Sequence, residues 1–103
     1  MLTSNLDKQS KKKLDKLLEK HNNDYKSLID SLYDFHINQL KRGIQNIKID
    51  LAYFENKFGI TTEKFYERFR AGDYADEKND YLEWSGEYEI LLDYEKELKE
   101  LEA

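Results

Sequence analysis

Seven apolar residues organise the middle of this chain: Ile37, Leu40, Ile44, Ile47, Leu51, Phe54 and Phe58, spaced three, four, three, four, three and four apart. That is the a/d pattern of a heptad repeat, sustained for three heptads, and it keeps one stripe of a helix turned toward a partner helix. Proline is absent and glycine occurs four times in 103 residues, so nothing in the composition interrupts a long helix. Gly43 lies inside the stripe at a cost of about 1 kcal/mol relative to alanine, and marks a kink or a close helix contact. A chain of this size buries only about 65% of its unfolded surface, which makes a lone monomeric core marginal. The seam therefore predicts a homodimer, held by Leu40, Ile44, Ile47 and Leu51; in a monomer it must instead pack against a last helix over 80–101.

The flanking elements follow from periodicity and capping residues. Met1 to Leu6 has a weak period of two, with Leu2, Ser4 and Leu6 on one face, and reads as a short strand. Asp7 suits an N-cap, and a first helix runs over 8–20 with Leu14, Leu17 and Leu18 as its apolar stripe. His21-Asn22-Asn23-Asp24 is a polar break, with Asp24 capping a long helix over 25–58. Gly59 suits a left-handed position after that helix. Thr61 or Thr62 caps a short helix over 62–71, which Gly72 ends. An acidic loop, Asp73 to Asp80, leads to a last helix over 80–101.

Several chemistries lack their residues. With no cysteine there is no disulfide framework, thiolate nucleophile or zinc ribbon. No glycine-rich phosphate loop or recognisable serine nucleophile is present. His21 and His36 are the only imidazoles, and no ligand motif accompanies them, so both read as structural or solvated. The sequence predicts a protein that is not an enzyme, with no metal, cofactor or small-molecule substrate. No uncharged stretch approaches a membrane span, so a cytoplasmic protein without membrane contact is expected.

Charge is unevenly divided. Residues 1–50 carry ten bases and seven acids, net +3, whereas residues 51–103 carry seven bases and fifteen acids, net −8. A basic half attracts polyanions and an acidic half attracts basic proteins, which suggests two ends with two partners; ordinary solvated helix surface is the alternative.

Residues 1–42 resemble a ribbon-helix-helix DNA-binding module. The resemblance lies in the strand ending at Leu6-Asp7, the helix with Leu14 and Leu17-Leu18, the polar turn, and Lys26-Ser27-Leu28-Ile29 opening the next helix. In that fold two chains pair their N-terminal strands, and alternate side chains of the ribbon read bases in the major groove. The resemblance implies that Thr3 and Asn5 face bases, that Lys11, Lys12 and Lys13 support affinity, and that the helix start near Tyr25, Lys26 and Ser27 holds a phosphate. A bare helical hairpin is the alternative for this segment.

Residues 50–102 resemble a tail of small prokaryotic antitoxin-like proteins, through Phe54-Glu55-Asn56-Lys57-Phe58-Gly59-Ile60-Thr61-Thr62-Glu63-Lys64-Phe65-Tyr66-Glu67-Arg68-Phe69, Ala71-Gly72-Asp73 and Asp80-Tyr81-Leu82-Glu83-Trp84. That resemblance implies neutralisation of a small basic toxin, with Asp73, Asp76, Glu77, Asp80, Glu83 and Glu87 as candidate charges and Tyr74 and Tyr81 as candidate anchors. Trp84 is either a core residue or part of that interface.

Together these readings predict a mainly α protein: a short N-terminal strand, a first helix, a long helix with a heptad seam, and two C-terminal helices, in a ribbon-helix-helix-like dimer. An all-α helical bundle is the alternative. Residues 1–43 are expected to form the DNA-binding and dimerisation module, and residues 44–103 the acidic partner-binding extension. The expected function is an antitoxin-like regulator that binds operator DNA as a dimer and neutralises a toxin. The alternative is a dimeric helical interaction protein that does not bind DNA.

Overall fold

The computed structural model of the chain describes residues 5–74 and 79–103. Four helices follow one another: α1 (Lys8–Lys20), α2 (Tyr25–Phe58), α3 (Thr62–Arg70) and α4 (Asn79–Glu102). No strand occurs among the described residues, which corrects the expected N-terminal ribbon and with it the ribbon-helix-helix fold. Met1, Leu2, Thr3 and Ser4 lie outside the described residues. Asn5 sits in a turn and Asp7 already caps α1, its carboxylate accepting the Ser10 N–H at 2.7 Å and its carbonyl the Lys11 N–H at 3.0 Å. Asp7, directly after that segment, is already committed to the helix cap. The all-α alternative is the architecture found.

The chain divides into two compact units, Met1–His36 and Ile37–Ala103, and α2 contributes to both. The boundary falls seven residues before the one read from the sequence.

The first unit is a helical hairpin. Asn22 and Asn23 both take left-handed backbone angles, φ 56° and 58°, which asparagine tolerates better than other residues with a side chain. The Asn23 N–H closes the end of α1 on the Leu18 carbonyl at 2.6 Å. Asp24 then starts α2, its carboxylate accepting the Lys26 N–H and its carbonyl the Leu28 N–H, each at 3.1 Å. Leu18 and Leu28 are the buried residues of this unit among those described.

The second unit holds the main core. Gly59 ends α2 with φ 68°. At the start of α3, Thr61 Oγ1 accepts the Lys64 N–H at 3.4 Å and the Glu55 carboxylate accepts the Thr62 N–H at 2.8 Å. A carboxylate there also suits the helix dipole. Gly72, at φ 83°, ends α3 in the same left-handed manner as Gly59.

Trp84 and Phe65 are fully buried at the centre, their rings nearly parallel with centroids 3.8 Å apart. Phe54 and Phe58 of α2 each stack on Trp84 at 5.6 Å. The indole N–H donates to Thr62 Oγ1 at 3.0 Å, so the one polar atom of this buried ring is satisfied. Trp84 is therefore core, one of its two expected alternatives.

The heptad seam packs within the chain. Leu40, Ile44, Leu51 and Phe54 are buried, and Ile37, Ile47 and Phe58 half-buried. Helix α4 runs antiparallel to this part of α2: Lys57 pairs with Asp80 at 2.6 Å near one end and Lys41 with Glu102 at 3.1 Å near the other. Between them Tyr94 lies over Gly43, where an added Cβ would sit 2.9 Å from Tyr94 Cε2. Gly43 thus marks a close helix contact and breaks nothing.

Candidate functional site

Helix α4 concentrates the charge of the second unit. It carries nine acids and two lysines in 24 residues. Trp84, Leu91, Tyr81, Tyr88, Tyr94 and Leu98 turn to the core, which leaves seven of the nine acids exposed on the other sides. Among those acids lie exposed Leu82 and Ile90, with Gly86 midway between them. These three recur every four residues and so share a face, together with exposed Glu89 and Asp93. Nothing lies within 4 Å of where a Gly86 Cβ would be, so no packing inside this chain requires that glycine. The result is an apolar strip with a gap in it, on a strongly acidic helix.

A second arrangement joins α4 to α2. Glu87 lies against Asp50 of α2, and its Oε2 is buried without a hydrogen-bond partner. Burial, the Asp50 hydrogen bond and charge, and the Glu83 charge, in that order, push the Glu87 carboxyl from its ordinary 4.5 up to about 7. Two carboxylates this close cannot both ionise cheaply, so a proton is held between them near neutral pH.

The acidic loop places its expected residues differently. Asp73 is exposed, but Tyr74 and Tyr81 are half-buried in the aromatic cluster, with ring centroids 4.9 Å apart and Tyr74 5.4 Å from Phe65. Both rings pack within this chain's own core. Asp80 is engaged with Lys57. Asp76 and Glu77 lie outside the described residues. Leu40, Ile44, Ile47 and Leu51, expected at a dimer seam, are covered within the chain as described above.

Of the residues expected to meet DNA, Lys11, Lys12 and Lys13 are exposed on α1 and Asn5 is exposed in the turn before it, whereas Thr3 is outside the described residues. Lys26 is paired with Asp30 at 2.6 Å. Ser27 is half-buried and hydrogen-bonded to His21 Nδ1 at 3.1 Å. The start of α2 already holds the Asp24 carboxylate on the Lys26 amide, where a phosphate was expected.

The strip Leu82-Gly86-Ile90 and the pair Asp50–Glu87 were not singled out from the sequence. The four-residue step of the strip is visible there, but it is masked by the stronger aromatic pattern on the same helix. Asp50 and Glu87 are 37 positions apart, and no local signal joins them.

Comparison with protein-family models, curated proteins and solved structures finds no match for the chain. Among the described residues no helix is long and apolar enough to cross a membrane, and no group of three His, Cys, Asp or Glu side chains is arranged to hold a metal.

Proposed function

We propose that the chain acts by binding a basic protein on the outer face of α4, in the manner of an antitoxin that neutralises a small basic toxin in the cytoplasm. The observation that carries this reading is the exposed Leu82-Gly86-Ile90 strip on a helix with nine acids. The acids would steer a basic partner and raise its association rate. The apolar strip would set its residence time, and the missing side chain at Gly86 would admit a partner helix at close range. The resemblance of residues 50–102 to antitoxin-like tails supports the partner class. DNA reading through an N-terminal ribbon is not part of the proposal, because no strand occurs among the described residues.

The test is binding kinetics against the product of the adjacent gene. Glu89→Lys with Asp93→Lys should slow association about tenfold or more. Gly86→Leu should speed dissociation about tenfold, while the fold gains helix propensity. Unchanged rates in both variants would refute the proposal.

A further inference from the structure

The apolar pattern of α2 does not begin at Leu40. Read back from Leu40, it passes Ile37 and continues in steps of four through Tyr33, Ile29 and Tyr25. Its character changes along the way. Leu40 is 6% exposed, whereas Ile29 is 52% and Tyr33 46% exposed. Leu32, 50% exposed, joins them, and these four side chains from Tyr25 to Tyr33 fall within about 100° of the helix circumference. Phe35 borders them at 62% exposure. In the same unit Leu18 and Leu28 are buried, so the hairpin displays more large apolar side chains than it covers.

We infer that this stripe, Tyr25, Ile29, Leu32 and Tyr33 with Phe35, is where a second copy of the chain docks, two α2 helices crossing antiparallel about a two-fold axis. Three observations select a second copy as the occupant. The first is area. Five exposed side chains at roughly 100 Å² each give about 500 Å² per copy and ~1,000 Å² over two copies, which reaches the size of a specific interface.

The second is the charged edge. Lys26 and Asp30, one turn apart and paired at 2.6 Å, flank the stripe on the Tyr33 side. An edge with one cation and one anion is its own complement when reversed, because Lys26 of one copy then approaches Asp30 of the other. The third is the distribution of charge between the units. Residues 1–36 carry seven bases and six acids, net +1, whereas residues 37–103 carry ten bases and sixteen acids, net −6. Two copies repel through their second units, and a self-contact is favoured where that repulsion is weakest, on the first. The covered seam, Leu40 to Phe58, is excluded as the dimer surface because α4 occupies it.

Sedimentation equilibrium of the full chain tests this assignment. Wild type should form a dimer in the micromolar range. Ile29→Asp with Leu32→Asp should weaken it by at least about a hundredfold, as truncating central apolar anchors does, with the helical circular dichroism retained because both side chains are exposed. Lys26→Asp should weaken the dimer several-fold, and Lys26→Asp with Asp30→Lys should restore it, a rescue that does not depend on the apolar variants folding. A wild type that stays monomeric to about 0.5 mM would overturn the inference and leave the stripe to a different protein. A dimer indifferent to the Ile29 and Leu32 changes would overturn it as well, by placing the contact on another face.

Discussion

Replacing Glu87 with Gln should make the chain more stable at neutral and alkaline pH and leave it unchanged in acid. Gln has the same shape, cannot ionise, and can donate its amide N–H to Asp50 as the protonated acid does. In the folded chain the Glu87 pKa stands at about 7 against an ordinary 4.5, so the folded state holds this proton more tightly than the unfolded state does. The contribution is therefore complete below about pH 4.5, declines as pH rises, and is gone above about pH 7.

The whole shift corresponds to roughly 3 kcal/mol at 1.36 kcal/mol per unit. Asp50 is exposed and Glu87 only half-buried, so water screens the pair, which brings the expected effect to about 1–2 kcal/mol. At pH 8 the variant should thus melt on the order of 5–10 °C higher than wild type. The assay is thermal unfolding followed by circular dichroism at intervals from pH 4 to pH 8.5. Curves that run parallel across that range would show that no proton is shared between Asp50 and Glu87 in the folded chain. So would a variant less stable than wild type at pH 8.

The two helical glycines make a paired prediction. Gly86→Ala should stabilise by about 1 kcal/mol because its Cβ meets open space, and Gly43→Ala should fall at least about 1 kcal/mol below it because its Cβ meets Tyr94. Urea midpoints of the two variants decide the matter, and equal midpoints would mean that Tyr94 does not press on α2. Thr62→Val should cost about 1–3 kcal/mol by leaving the buried Trp84 N–H without an acceptor, which denaturant unfolding followed by tryptophan fluorescence can measure. An effect within 0.5 kcal/mol, roughly the spread of neutral surface changes, would show that the hydrogen bond is replaceable.

Local chemistry was well expressed in the sequence. Asp7 and Thr61 act as caps, Gly59 and Gly72 take left-handed angles, and the helix limits of α1 and α2 fall where periodicity places them. Each of these depends on a few neighbouring residues. The partner of the seam did not emerge in the same way. A three-four spacing specifies a stripe to be covered, and a helix of the same chain satisfies it as well as a helix of another. The loop tyrosines were ambiguous for a related reason, since an aromatic side chain serves a core and an interface equally. The strand was over-read because a period of two across six residues leaves three positions per face, too few to outweigh an N-cap. Gly43 and Gly86 are alike in sequence, and only the presence of Tyr94 over one of them separates close packing from an open gap.

Helix α2 is continuous over 34 residues, yet its two ends rest on different support. From Leu40 onward it is clamped by buried side chains and an antiparallel neighbour; before Ile37 it is held by a hairpin with Leu18 and Leu28 buried. Opening of a segment costs what its buried contacts are worth, so amide protons of residues 25–36 should exchange with solvent far sooner than those of 40–58 on the same hydrogen-bonded ladder. The helix is then a fraying rod, firm in one half and loose in the other. If two copies meet on the loose half, its exchange should slow as protein concentration rises while the firm half stays unchanged. Association would then lend the weaker half of a formed helix the protection that its other half has without it.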